Sequence, residues 1–153
     1  MFKKSQYNKD MIIMMSDIYK KLGNYYFTII GFNFVLHNYG KDYEILKQVA
    51  EIYINNVDMP NAGYHILKEL YEILPPTQDI LKALLRASTN LKLYKEGSKY
   101  LKHALEWKNK DDELYVLIGD FYKLVGKTQD AEKAFLAALK KNPENKDAQL
   151  KLI

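Results

Sequence analysis

Apolar residues recur at spacings of three and four along residues 112–145, which is the period of an α-helix. Large and small side chains share the apolar face, and small residues let two helices approach closely. The pattern therefore predicts a helix, a tight turn and a second helix packed on the first. The positions that define it are Tyr115, Ile118, Gly119, Tyr122, Gly126, Ala131, Phe135, Ala138 and Pro143.

This segment resembles the tetratricopeptide repeat, a helix–turn–helix of 34 residues with the pattern W-x2-L-G-x2-Y, then A-x3-F, then proline. Tyr115 stands at the tryptophan position and Ile118 at the leucine position, and both supply the large apolar side chain needed there. The resemblance implies that first helices of successive repeats line a concave groove. In this family such a groove usually holds an extended peptide or a helix of a partner protein.

Earlier parts of the chain repeat the pattern at the same period. Gly97 and Ala104 lie 34 residues before Ala131 and Ala138, and Gly63 lies 34 residues before Gly97. The first helix of the copy with Gly63 keeps register if one residue is inserted at the turn 57–61. The predicted repeats are 9–42, which is degenerate, then 43–77, 78–111 and 112–145, followed by a partial capping helix over 146–153.

We therefore predict an all-α fold, an α-solenoid of stacked antiparallel helix pairs with about eight helices and a short C-terminal cap. The resemblance implies a right-handed superhelix, and we expect one repeat domain over residues 1–153. No segment alternates like a strand, and no Asn-Gly or Asp-Gly hairpin turn occurs. Because the last helix stops early, the chain could also be a fragment of a longer protein.

Composition narrows the classes of function. The formal net charge is +4 with Lys and Asp/Glu interleaved, which falls short of a nucleic-acid footprint. The chain has no cysteine, which fits a reducing compartment, and its longest apolar-rich window, residues 25–36, is too short to span a bilayer. We predict a cytoplasmic protein without a membrane span.

Helical geometry indicates which polar residues of the first helices would face the groove. Lys82, Arg86 and Asn90 are spaced i, i+4, i+8 and form one row. With Lys47 they could hold an acidic segment of a partner, although an ordinary solvated row explains the same spacing. The full predicted groove set is Lys47, Glu51, Lys82, Arg86, Asn90, Asp120 and Lys123, with Val116 beside the last two on the same helix.

A second candidate surface is the helix predicted over residues 25–36, which is apolar nearly all round. A helix of this kind should be covered on every side. We expect self-association or a second partner there, with Tyr26, Ile30 and Phe34 as the possible oligomer surface. The alternative is that residues 1–10 fold back over it.

Catalytic and metal-binding chemistry has little support. The three histidines, His37, His65 and His103, do not share a ligand spacing, and no phosphate loop or nucleophile motif occurs. The acids at 111–113 fit a helix N-cap. We predict no enzyme, no metal and no cofactor. The leading hypothesis is a scaffold or adaptor for a protein or peptide partner. The alternatives are a self-assembling structural repeat, as a homo-oligomer, and an RNA-binding helical repeat.

Overall fold

The computed structural model describes residues 6–153, with side chains from Asn8 onward. This part of the chain folds into nine α-helices and contains no strand, which confirms the predicted all-α class. In chain order they are α1 (Gln6–Lys21), α2 (Tyr25–Tyr39), α3 (Tyr43–Asn55), α4 (Pro60–Ile73), α5 (Gln78–Asn90), α6 (Tyr94–Glu106), α7 (Asp112–Leu124), α8 (Thr128–Lys141) and α9 (Lys146–Lys151).

The chain divides into two compact units, Met1–Ile66 and Leu67–Ile153, and the division falls within α4. Each pair from α1–α2 to α7–α8 falls within one of the four predicted repeat segments, apart from the first three residues of α1, and α9 follows. The single repeat domain over 1–153 stays a prediction.

The first unit is built around α2 and α3. Phe32 and Val35 of α2 are completely buried, and they pack with Ile45, Val49 and Ile52 of α3. The helix α1 packs against the same cluster through Ile12 and Ile13, and the hydroxyl of Ser16 sits so close to Gly31 of α2 that a Cβ there would overlap it. The side of α2 that faces α3 is therefore fully covered.

The second unit uses glycine to seat aromatic rings between helices. The ring of Phe121 on α7 lies against Gly97 of α6, and the ring of Phe135 on α8 lies against Gly119 of α7. Both rings are almost completely buried, and Ala131 is buried in the same cluster as Phe135. The small positions of the sequence pattern are thus the points of close helix approach.

Short polar side chains fix where the helices begin. The carboxylate of Asp42 accepts a hydrogen bond from the N–H of Ile45, and the hydroxyl of Thr77 accepts one from Ile80. The carboxylate of Asp111 accepts one from Leu114 at 2.7 Å, as predicted for the acids at 111–113. Each bond satisfies a donor that the first helical turn would leave open.

The turns inside the helix pairs show where the repeat gains a residue. In three pairs a backbone N–H donates to the carbonyl five residues earlier: Asn24 to Tyr19, Leu93 to Ser88, and Lys127 to Tyr122. In the pair α3–α4 the bond runs six residues, from Met59 to Tyr53, at 2.8 Å. The turn between α3 and α4 is therefore one residue longer than the other three, which accounts for the additional residue predicted near 57–61.

Candidate interaction surfaces

A cavity of about 320 Å³ opens on one side of the second unit, between α5, α7 and the N-terminal turn and body of α9. These are the helices that the repeat pattern designates as first helices and as the cap. Its lining is Arg86, Glu113, Val116, Leu117, Asp120, Asn145, Asp147 and Lys151. Val116 and Leu117 form an almost buried apolar floor, and the remaining residues form a polar rim. The predicted groove residues Arg86 and Asp120 are therefore brought together.

The basic row on α5 is bound within the chain. The Nζ atom of Lys82 lies 2.9 Å from Oδ2 of Asp111 and 2.7 Å from Oε2 of Glu113. A guanidinium nitrogen of Arg86 lies 2.7 Å from the other oxygen of Glu113. Asp79 lies 3.8 Å from the same ammonium. These cations meet carboxylates of the neighbouring first helix.

The pKa values of this cluster reflect the pairing. Burial favours the neutral form of Lys82, but the hydrogen bonds and charges of Asp111 and Glu113 outweigh it and raise the pKa of that ammonium. Burial would likewise raise the pKa of Glu113, but the hydrogen bonds and charges of Lys82 and Arg86 outweigh it and lower that pKa. The charged forms on both sides are therefore favoured.

The helix α9 closes one end of the cavity. Lys151 extends its ammonium to Oδ1 of Asp120 on α7, at 2.5 Å. The rim thus carries two cations, Arg86 and Lys151, and three carboxylates, those of Glu113, Asp120 and Asp147. Its formal charge is −1, which differs from the basic groove that the row on α5 suggested.

A carboxylate of α7 holds the chain in place before α9. Oδ2 of Asp112 accepts hydrogen bonds from the side-chain amides of Asn145, at 2.7 Å, and of Asn142, at 2.9 Å. Those two amides, that of Asn145 first, lower the pKa of Asp112. Asn145 also caps α9 by accepting from the N–H of Ala148.

Sequence reasoning interpreted α9 as a cap and missed its contribution to the rim. A signal exists in the spacing of opposite charges. Lys82 and Glu113 lie 31 residues apart, and so do Asp120 and Lys151, which is close to one repeat. Such pairs connect the first helices of consecutive repeats.

The other predicted groove residues lie elsewhere. Lys47 and Glu51 are half-buried on α3 in the first unit. Asn90 is exposed at the end of α5. Lys123 is exposed and lines a second cavity, of about 280 Å³, between α7, α8 and α9.

The predicted oligomer surface is open to solvent. Tyr26, Ile30 and Phe34 are 71%, 48% and 50% exposed on one side of α2. The alternative cover, residues 1–10, falls partly outside the described residues, since the description begins at residue 6.

The histidines lie apart from these surfaces. His37 and His65 are exposed, and Nδ1 of His103 lies 2.8 Å from the Tyr71 hydroxyl. Within residues 6–153, no group of three His, Asp or Glu side chains converges as a metal site would require. In the same range, no helix combines the length and apolarity that crossing a bilayer demands.

Comparison with known proteins gives a family and a fold. A model of the coatomer epsilon subunit family matches residues 37–151. A search of curated proteins gives no match. A crystal structure of MamA is 18% identical and has a TM-score of 0.76, with 90% of this chain and 80% of that chain covered.

Two further solved structures agree. A second crystal structure of MamA protein is 17% identical, covers 94% of this chain and 78% of that chain, and has a TM-score of 0.79. TTC0263, a thermophilic TPR protein in Thermus thermophilus, is 20% identical, covers 94% and 79%, and has a TM-score of 0.70. This likeness shows the fold and confirms the resemblance to the tetratricopeptide repeat.

Proposed function

Because this chain belongs to the coatomer epsilon subunit family and has a tetratricopeptide-like fold, we propose that it is a protein-interaction scaffold without catalytic activity. The proposal places the binding of a partner segment in the cavity between α5, α7 and α9, and it keeps the cytoplasmic location predicted from the sequence. The observation that carries it is the cavity itself, which has an apolar floor and a charged rim formed by α5, α7 and α9.

The size of the cavity fits a few side chains of a peptide. A volume of about 320 Å³ lies at the lower end of the range for small-ligand pockets, and one side is open. Val116 and Leu117 offer apolar contact for one anchoring side chain. The exposed carboxylate of Asp147 fixes the orientation of the segment at the rim.

Charge indicates the chemistry of the segment. Lys82 and Arg86 already have carboxylate partners, so an acidic peptide would have to displace Asp111 or Glu113. Asp147 adds a carboxylate at the exposed edge of the rim. We therefore propose a segment with an apolar residue next to Lys or Arg, in place of the acidic segment inferred from the sequence.

A displayed library of random peptides, selected on the immobilised chain, tests the proposal. We expect selected peptides to combine a basic and an apolar residue, and their affinity to fall about tenfold in Asp147→Lys through loss of a charge pair at the rim. The matched control is Glu144→Lys, an exposed acid outside the cavity lining.

Two results would overturn the groove. One is a set of peptides that bind wild type and Asp147→Lys equally well. The other is a selection that yields no peptide at micromolar affinity. If acidic peptides were enriched instead, the binding residues would be the cations of α5, as the sequence suggested.

A further inference from the structure

The helices α1 and α2 expose an unusual amount of apolar side chain. On α1 and at the residue just after it, the exposed apolar residues are Met11, Met14, Met15, Ile18 and Leu22. On α2 they are Tyr26, Phe27, Ile30 and Phe34. Their exposed fractions run from 40% to 74%, whereas the core residues of the same unit are below 9%. We call these nine residues the end face.

The end face is continuous because of how the two helices pack. The spacing of three and four places each set on one side of its helix. Ser16 of α1 meets Gly31 of α2, which sets the two helices side by side. Phe32 and Val35 turn towards α3, so the exposed side of α2 points away from α3. The stacked rings of Tyr19 and Phe27, 5.3 Å apart, join the two sets.

The end face carries no formal charge. The fifteen residues of α2 include no Lys, Arg, Asp or Glu. On α1 the charged residues lie off the apolar side: Asp10 precedes it, the half-buried Asp17 lies beside it, and Lys21 is near its other end. Only an apolar surface would match a face of this composition without leaving a buried charge unpaired.

The area of the end face is large enough for a stable interface. At roughly 200 Å² for each large apolar side chain, the exposed fractions amount to about 1,000 Å². The largest apolar patch on a typical monomer is about 300–600 Å². A standard interface buries about 800 Å² on each partner.

We propose that the end face binds a second copy of this chain, as an isologous dimer with the two end faces packed on each other. A two-fold axis brings the same patch of both copies together, so an apolar face meets an equally apolar face. If the axis runs across the helices, α1 packs antiparallel on α1 and α2 on α2. Asp10 of one copy then lies near Lys21 of the other, which sets the register at the rim.

The packing within one copy locates the axis. Ser16 lies on the buried side of α1, midway in sequence between Met11 and Leu22, and meets Gly31 of α2. Ile30, next to Gly31, is therefore near the axis and faces Ile30 of the second copy. None of the residues that line the cavity of the second unit belongs to the end face, so this dimer stands independently of the proposed partner binding.

Sedimentation of the full chain tests the dimer. We expect a concentration-dependent dimer in the micromolar range. The double variant Ile30→Glu with Phe34→Glu should raise the dimer Kd at least about a hundredfold, because it buries charge at the centre of the interface. The matched control is Leu105→Glu with Leu136→Glu, two leucines of similar exposure in the second unit, which should leave the dimer intact.

Disulfide crosslinking tests the arrangement. Because the chain has no cysteine, any crosslink must come from the introduced one. Ile30→Cys should form an intermolecular disulfide on mild oxidation, whereas Lys133→Cys, at an exposed position of α8, should not. Helix content by circular dichroism confirms folding of each variant. A wild-type chain that stays monomeric at a concentration 100-fold above the expected Kd overturns the proposal. Equal dimerisation of the Ile30→Glu, Phe34→Glu variant overturns it as well.

Discussion

Phe121 of α7 places its ring against the backbone of Gly97 on α6, so closely that a Cβ at position 97 would overlap the ring. Phe121 is 0% exposed, so other atoms of the protein enclose the ring on every side. Gly119 holds the ring of Phe135 in the same manner one helix further on. The second unit thus depends on two glycines for helix contact rather than for turns.

The first prediction follows from this contact. We expect Gly97→Ala to lower the free energy of unfolding by about 1–3 kcal/mol through overpacking, although alanine is the better helix former. Urea denaturation followed by circular dichroism measures the change. Lys102→Ala, at an exposed position on the same helix, should stay within about 0.5 kcal/mol. An unchanged midpoint for Gly97→Ala would show that the helices separate without cost.

The second prediction concerns the turns. Gly126 has φ +81°, and Lys92 takes φ +55° at the corresponding turn of the preceding pair. A side chain in this left-handed region costs roughly 1–2 kcal/mol, part of which a glycine returns as unfolded-state entropy. Lys92→Gly should therefore stabilise the protein by up to about 1 kcal/mol, and Gly126→Ala should destabilise it by a similar amount. Thermal unfolding of both variants tests this prediction. Shifts of the melting temperature in the same direction would contradict it.

A third prediction concerns a buried hydroxyl. Ser88 is 0% exposed, and its Oγ has no hydrogen-bond partner among the described residues. A buried hydroxyl without a hydrogen-bond partner destabilises the folded state. Ser88→Ala should therefore raise the free energy of unfolding by about 1 kcal/mol. Ser16 is the control, since it is equally buried but donates to the carbonyl of Ile12 at 2.8 Å. Stabilisation by Ser16→Ala as well would point to helix propensity as the cause.

The fourth prediction is a pH dependence. The pKa of Asp112 is lowered by the amides of Asn145 and Asn142. Its charged form therefore stabilises the fold above the unfolded-state pKa, and this contribution is lost as pH falls through the lower folded-state pKa. Asp112→Asn should cost about 1 kcal/mol at pH 7, with the difference from wild type vanishing in acid. Denaturation at pH 7 and at more acidic pH checks both points, with Glu144→Gln, an exposed acid, as the control.

The pattern of apolar and small residues was enough to predict the helices, their pairing and the places where they touch. The period of the apolar residues follows from the helix repeat, and Gly97, Ala131 and Ala138 mark close approach because only small residues permit it. The inserted residue near 57–61 was also visible, and the Met59–Tyr53 bond shows how the turn takes it up.

The charge of the cavity rim and the extent of the end face could not be predicted, because both depend on how the helices pack. A row such as Lys82 and Arg86 looks basic along one helix, but its electrostatics depend on Asp111 and Glu113, which arrive from the next first helix. Likewise, a helix that is apolar all round does not show which of its sides a neighbour covers. The pattern of apolar and polar residues along one helix specifies the faces of that helix. Which neighbour packs on each face depends on elements that are distant in sequence.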